Sequence, residues 1–191
     1  IIMKRVSIIC ALSLFLLPVF GLEVGYKAPK FVNPDLQAKY VLSKNIIGKG
    51  WVILNFFATD CEGCKKELPE LEELYLSFKD YGLIVIVFAV DEEGTSIVKP
   101  FFKKHPTELL IVIDRFKKSA IKYEVDEIPA LFLINPEGFI VEKHIEYSKD
   151  NVPALKAILT SALMPEEETD SGKGEEQEAE ESTGNMPPDV D

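Results

Sequence analysis

Two cysteines with two residues between them directly follow a strongly apolar stretch of this chain. Residues 51–57 are apolar apart from Asn55, which predicts a strand buried on both faces. Cys61 and Cys64 come next, and leucines at three- and four-residue steps predict a helix over 62–80. This layout places a thiol at a helix N-terminus, where the dipole and the free N–H groups stabilise a thiolate. A second thiol one turn further on completes the minimal requirement for thiol–disulfide exchange.

In such a pair the two cysteines have different roles. We expect Cys61, at the strand-to-helix junction, to be the exposed nucleophile. Cys64, one turn into the helix, would then attack a mixed disulfide and release the partner. The two residues would form a redox-active disulfide, and the pair itself would be the redox centre, so no cofactor is expected.

A static disulfide and half of a metal site are the two alternatives that the cysteine pair leaves open. A disulfide that closes so short a loop contributes little stability through loop entropy. A zinc site needs two further ligands, and His105 and His144 are far away and not at ligand spacing. We therefore expect no bound metal.

The two ends of the chain differ from its centre in composition. Lys4 and Arg5 precede the apolar run 6–20, which predicts a signal peptide over residues 1–21 or an N-terminal membrane anchor. Removal of this segment would also remove Cys10, the third cysteine. Export to the periplasm or another extracytoplasmic space is therefore expected.

Most of the net charge of −11 lies in the C-terminal segment, residues 165–191, which contains eleven acidic residues and one lysine. This segment is rich in Glu, Ser, Gly and Pro and has no aromatic residue, so we expect a disordered acidic tail. The acidity argues against a nucleic-acid partner, because nucleic-acid binding needs a basic face.

Residues 22–164 predict one α/β domain. Short strands and turns are expected over 25–44, and strands alternate with helices after residue 51. The further predicted strands are 83–90, 109–113, 130–134 and 139–145, and the further helices are 95–105, 116–123 and 152–163. The predicted architecture is a mixed central sheet flanked by helices.

The segment 55–69, Asn-Phe-Phe-Ala-Thr-Asp-Cys-Glu-Gly-Cys-Lys-Lys-Glu-Leu-Pro, resembles the active-site segment of thioredoxin-like proteins. It is most similar to the exported TlpA/ResA-type thiol–disulfide oxidoreductases. The resemblance extends over about residues 25–160. It includes Ala28-Pro29-Lys30-Phe31, Val90-Asp91 and the run from Ile128-Pro129 to Pro136-Glu137-Gly138.

This resemblance implies a thioredoxin-like fold with an N-terminal strand extension. It also implies that the Ile128–Pro129 bond is cis and that this loop lies against the cysteines and binds an extended substrate chain by backbone hydrogen bonds. Glu67 would handle the proton of the resolving thiol, since Asn55 occupies the position where cytosolic thioredoxins have a buried aspartate. A solvated Glu67 on the helix surface is the alternative.

The implied partners are a disulfide-containing exported protein, such as apocytochrome c, and a membrane dithiol donor that reduces the enzyme again. One departure from the family pattern concerns the direction of the reaction. The family has tryptophan before the first cysteine, whereas Asp60 stands here. Asp60 and Glu62 disfavour a thiolate at Cys61, whereas Lys65 and Lys66 favour it but are expected to be solvated, and the balance predicts a reducing enzyme.

Three rival functions compete with disulfide reduction. A copper-binding chaperone would use His144 with the two cysteines, although His144 shares a strand face with Glu142 and Glu146 and a solvated face is expected. A peroxidase of the peroxiredoxin kind lacks its characteristic threonine and proline here, so antioxidant activity is not expected. A non-catalytic interaction domain that uses the acidic tail is the third.

Overall fold

The computed structural model describes residues 22–164. The predicted signal peptide or anchor at 1–21 and the predicted tail at 165–191 lie outside the described residues. Within 22–164, no helix is both long and apolar enough to cross a bilayer. The strands are β1 (Val32–Pro34), β2 (Tyr40–Leu42), β3 (Val52–Phe57), β4 (Ile84–Ala89), β5 (Leu110–Ile113), β6 (Ala130–Ile134) and β7 (Ile140–Ile145). The helices are α1 (Glu62–Phe78), α2 (Thr95–Lys104), α3 (Lys118–Lys122) and α4 (Asn151–Leu163).

Five strands form one mixed sheet in the order β5-β4-β3-β6-β7. Strands β3, β4 and β5 run parallel, whereas β6 is antiparallel to both β3 and β7. All six residues of β3 are buried, as the apolar run 51–57 predicted for a central strand. The prediction of a mixed sheet flanked by helices is therefore confirmed.

Alternation of side chains along β3 distributes its residues between two apolar layers. Ile53 and Phe57 pack in the layer that contains Leu71 of α1 and Leu155 of α4. Val52, Leu54 and Phe56 face the opposite layer with Phe88, Tyr123 and Phe132. Because Asn55 alternates with the second set, its side chain points toward α1.

Helix α1 continues through Pro69 and is followed by a 3₁₀ turn at Lys79–Tyr81. Helix α3 begins at Lys118 and not at Phe116, so the predicted start was wrong. The reason is Asp114, whose carboxylate accepts hydrogen bonds from the backbone N–H groups of Ser119 and Ala120. These bonds fix the first turn of the helix, and Phe116 is left in the preceding turn with 72% of its surface exposed.

An N-terminal extension contacts both edges of the sheet. Strands β1 and β2 form an antiparallel pair, and Asp35 in the turn after β1 makes a bridge to Val112 on β5. At the opposite edge, the N–H of Gly25 and the carbonyl of Tyr26 bond to Ile140 at the start of β7. The extension thus spans the sheet from β7 to β5.

Candidate active site

The first cysteine caps helix α1. After β3 the chain turns so that the N–H of Cys61 donates to the carbonyl of Ala58 at 3.2 Å. Cys61 has an extended backbone, φ −82° and ψ 112°, and its Sγ accepts the N–H of Cys64 at 3.1 Å. The sulfur therefore takes the place of the oxygen of an ordinary N-cap residue, and a helix N-terminus favours the thiolate.

Cys61 and Cys64 are joined by a disulfide, with Sγ–Sγ 2.07 Å and Cα–Cα 5.3 Å. Their accessibility differs, because Cys64 is 1% exposed whereas Cys61 is only partly buried. A molecule that approaches from solvent therefore meets Cys61 first. The structure brings together the two sulfurs that the sequence singled out.

Glu67 is buried in the protein, with 1% of its surface exposed, and lies one helical turn after Cys64 in α1. Its Oε2 accepts a hydrogen bond of 2.6 Å from Nδ2 of Asn55 on β3, while its Oε1 has no hydrogen-bond partner among the described residues. Burial raises the pKa of Glu67 to about 7, and the hydrogen bond from Asn55 and the nearby side-chain amide of Asn151 oppose this shift. The alternative of a solvated Glu67 on the helix surface is wrong.

The loop before β6 packs against the residue between the cysteines. The Ile128–Pro129 bond is cis, the geometry that the resemblance implies. A β-carbon added to Gly63 would lie 3.2 Å from Cδ of Pro129 and 3.1 Å from Cβ of Tyr147. Pro129 is buried and Ile128 is partly exposed, so the loop lies against the cysteine turn.

Tyr147, from the loop after β7, is a site residue that the sequence analysis missed. Its hydroxyl donates to Oε1 of Glu70 at 2.8 Å, and this bond raises the pKa of Tyr147. The signal that could have revealed a close neighbour is Gly63, because a glycine inside a helix often marks a close approach.

A second missed contact joins the two loops that follow β3 and β4. Asp91 follows β4 and is 6% exposed, and its Oδ1 accepts both the N–H of Thr59 at 2.9 Å and the hydroxyl of Thr59 at 2.5 Å. Since β3 and β4 are parallel, their carboxyl ends meet at the same edge of the sheet. The alternation of strands with helices, which favours parallel pairing, was the signal that could have revealed the contact between Thr59 and Asp91.

The charges beside Cys61 are partly paired. Lys65 lies 2.7 Å from Glu62, one turn away on α1, and both side chains are exposed. This hydrogen bond and the positive charge of Lys65 lower the pKa of Glu62. The cation of Lys65 is therefore engaged with Glu62, and Asp60, the residue before Cys61, is exposed.

His144 lies on β7 opposite Leu131, and its side chain is 18% exposed, so the predicted solvated face is wrong at this residue. Its Nε2 is 3.4 Å from the carboxylate of Glu142 and has no hydrogen-bond partner within 22–164. Among these described residues, no three His, Cys, Asp or Glu side chains are grouped so that they could hold a metal ion. The structure does not join His144 to the cysteines as a copper site.

Comparisons with known proteins agree with this geometry. The AhpC/TSA family matches residues 24–143. The thiol-disulfide oxidoreductase ResA of a Bacillus cereus strain is 38% identical over 132 residues, which cover 69% of this chain and 75% of the relative. ResA of Bacillus subtilis (strain 168) is 36% identical over 122 residues, or 64% of this chain and 67% of the relative.

Solved structures show the same fold. A thiol:disulfide interchange protein from Bacteroides sp. has a TM-score of 0.66 at 25% identity, with 78% of this chain and 96% of that chain covered. The thioredoxin domain of a thiol-disulfide oxidoreductase from Bacteroides vulgatus has a TM-score of 0.64 at 26% identity, over 72% and 99% of the two chains. The chain belongs to the AhpC/TSA family and, within it, to the ResA-type thiol–disulfide oxidoreductases of thioredoxin-like fold.

Proposed function

We propose that this protein is an exported reductase that transfers electrons from its Cys61–Cys64 dithiol to disulfides of other exported proteins. The observation that carries the proposal is the asymmetry of the pair. Cys61 is partly exposed and caps α1, whereas Cys64 is buried behind it and bonded to it. An accessible nucleophile with a sheltered resolving thiol is the arrangement that exchange with a large partner requires.

The reaction proceeds in two displacements. The Cys61 thiolate attacks one sulfur of the substrate disulfide, so that a mixed disulfide forms and the other substrate sulfur leaves as a thiolate. Cys64 then loses its proton and attacks Sγ of Cys61, which releases the second substrate sulfur. Two electrons pass to the substrate, its two thiolates take up two protons, and the enzyme ends with the Cys61–Cys64 disulfide.

Glu67 is the group that we propose accepts the proton of Cys64. It lies one helical turn beyond Cys64, it is buried, and one of its carboxylate oxygens has no hydrogen-bond partner among the described residues. A pKa of about 7 makes the carboxyl group able to take and return a proton near neutral pH. Asn55 holds the other oxygen and so orients the group.

Ile128 and Pro129 are the proposed docking residues for the substrate chain. Pro129 packs beside Gly63, the residue before Cys64, and this contact supports a docking site close to the cysteine pair. An extended chain that lies along this loop would pair with backbone groups there, as strands do in a sheet. Specificity for a sequence would then be low, which suits a reductase with several partners.

The direction of electron flow is proposed from the charges. Asp60 and Glu62 flank Cys61, and Lys65 is paired with Glu62. Negative charge beside Cys61 destabilises the thiolate and with it the reduced form, which makes the pair a better reductant. Oxidised enzyme would be reduced again by a membrane dithiol donor, and apocytochrome c is one candidate substrate. No metal or other cofactor takes part in these steps.

The test is a trapping experiment with Cys64→Ser. This variant retains the attacking thiol but lacks the resolving thiol, so partners should accumulate as covalent adducts that a reductant releases. The matched control is Cys61→Ser, which should trap nothing at the site, and adducts are assigned by mass spectrometry so that Cys10 does not contribute. Absence of adducts on Cys61, together with stoichiometric copper binding by the unmodified protein, would replace the proposal with the copper function.

A further inference from the structure

Asp91 is a buried carboxylate that the two displacement steps do not use. It follows β4, is 6% exposed, and contacts the segment that leads into Cys61. Its Oδ1 accepts two hydrogen bonds from one residue, Thr59, through the backbone N–H and the hydroxyl. Both donors of Thr59 are therefore committed to one oxygen atom.

These two bonds fix the turn that presents the nucleophile. Thr59 is followed by Asp60 and then by Cys61, whose own N–H is held by the carbonyl of Ala58. The short segment 58–61 is thus held by the hydrogen bonds from Thr59 to Asp91 after β4 and by the internal hydrogen bond from Cys61 to Ala58. A movement of Asp91 would be passed to Cys61 through only two residues of chain.

The second oxygen of Asp91 gives a separate observation. Oδ2 is buried and has no hydrogen-bond partner among residues 22–164. Both hydrogen bonds that Thr59 donates to this carboxylate therefore go to Oδ1. Two residues of chain span at most about 7 Å, which places the carboxylate within roughly 10 Å of the Cys61 backbone. A charge that is buried at this distance is screened less than a charge in solvent.

We propose that Asp91 is a positioning residue for Cys61, which fixes the turn through Thr59 and, by its buried negative charge, disfavours the thiolate and keeps the cysteine pair reducing. The proposal rests on the proposed function, in which Cys61 is the attacking thiol. It differs from the role of Glu67, which concerns the proton of Cys64. It also differs from the influence of Asp60 and Glu62, whose charges are exposed.

The segments that carry or flank the cysteine turn hold other ionisable groups, and the test must separate Asp91 from them. The turn itself carries Asp60, and α1 carries Glu62, Lys65, Lys66 and Glu67. The loop after β4 carries Glu92 and Glu93, the loop before β6 carries Asp126 and Glu127, and the loop after β7 carries Tyr147.

Asp91→Asn is the main variant, because it removes the charge and keeps an oxygen acceptor for Thr59. Glu92→Gln is the matched control, since it removes the charge of an exposed neighbour that pairs with Lys117 at 3.5 Å. Two readouts are used in the full-length chain. The first is the rate of iodoacetamide alkylation of the peptide that contains Cys61, against pH, in a Cys64→Ser background. The second is the reduced fraction of the Cys61–Cys64 pair at equilibrium with a glutathione redox buffer.

With D91N, alkylation of Cys61 at pH 7 should be about threefold faster or more, which corresponds to roughly half a pKa unit. The reduced fraction in the same glutathione buffer should rise, because the reduced form is then less destabilised. E92Q should change neither quantity. Unchanged alkylation and an unchanged equilibrium in folded D91N would overturn the proposal, and so would an equal effect of E92Q.

If circular dichroism shows that D91N does not fold, Thr59 decides the question. Thr59→Val removes the hydroxyl donor and keeps the charge of Asp91, so mixed-disulfide formation should slow while the pH midpoint of Cys61 alkylation stays the same. Thr59→Ser restores the hydroxyl and should restore the rate. Equal rates in T59V and T59S would overturn the positioning role. If Cys64→Ser with Asp91 and Thr59 unchanged forms no mixed disulfide at Cys61, that result would instead contradict the proposed function itself.

Discussion

Asn55 on the central strand donates a 2.6 Å hydrogen bond to the buried carboxyl group of Glu67 on α1. This contact is a polar link between the sheet and the helix that carries the cysteines, beside the apolar layer that contains Leu71 and Leu155. A buried polar group that loses its partner costs about 1–3 kcal/mol, so the two residues depend on each other. The protonation of Glu67 is therefore set partly by a residue on β3.

Replacement of Asn55 by leucine should raise the pKa of Glu67 above its value of about 7. The reason is that the hydrogen bond from the Asn55 amide favours the charged carboxylate and opposes the effect of burial. The titration of the Glu67 side-chain carboxyl carbon, followed by NMR, measures this directly. A midpoint that stays at or below that of the unmodified protein would contradict the assigned cause.

Stability should depend on pH through Glu67 in a defined direction. The folded-state pKa of about 7 lies above the ordinary value of 4.5, so the folded protein binds the proton more tightly than the unfolded chain does. The stabilisation is complete below pH 4.5 and is lost as the pH rises through about 7. The expected loss is on the order of 3 kcal/mol relative to Glu67→Gln, which does not titrate. Urea unfolding of the two disulfide-bonded proteins at about pH 4.5 and pH 8 gives this difference, and a constant difference between them would refute it.

The rate of disulfide exchange should report the same carboxyl group. In the unmodified protein, release of the mixed disulfide should accelerate as the pH rises through about 7, because Glu67 then becomes a carboxylate that can accept the proton of Cys64. E67Q should lose this acceleration and keep the pH profile for alkylation of Cys61. Glu73→Gln is the matched control, because Glu73 is an exposed carboxylate on the same helix. An E67Q enzyme with an unchanged pH profile for insulin reduction would exclude the proton-transfer role.

Gly63→Val should impair the reduction of protein disulfides more than that of small ones. A β-carbon at this position lies 3.1 Å from Tyr147 and 3.2 Å from Pro129, so a branched side chain must displace the loop that holds Pro129. A small disulfide such as hydroxyethyl disulfide does not need that loop, whereas an extended chain does. The measurement is the ratio of the two reduction rates. Ser77→Val, at an exposed position of the same helix, controls for valine in α1, and an equal ratio in both variants would show that the loop does not take part.

The strands could be predicted where both faces are buried. Strand β6 was expected at 130–134 and is observed at Ala130–Ile134, because its run of apolar residues has no polar interruption and is bounded by a proline and by an Asn-Pro turn. The pairing of Cys61 with Cys64 could also be predicted, since two cysteines one helical turn apart are close in space whatever the rest of the fold does.

The contacts between elements could not be predicted in the same way. Periodicity places Glu67 on a helix but does not say how α1 is rotated over β3, so a buried and a solvated Glu67 were both compatible with the sequence. Thr59 and Asp91 are 32 residues apart in sequence and meet only because β3 and β4 end in register. His144 was wrongly assigned to a solvated face because alternation along β7 says nothing about what covers the strand.

The N-terminal extension has a consequence for a protein whose proposed substrates are other polypeptide chains. Exposed sheet edges invite pairing with any extended polypeptide. Here the outer strands β5 and β7 are each bonded in part to the extension, at Val112 and at Ile140. A polypeptide chain therefore finds fewer free backbone groups along the flanks of the sheet, which agrees with the proposed contact at the end of the sheet that carries Cys61. The same segment that closes the fold thus occupies part of both sheet edges and leaves less of them free to pair with another chain.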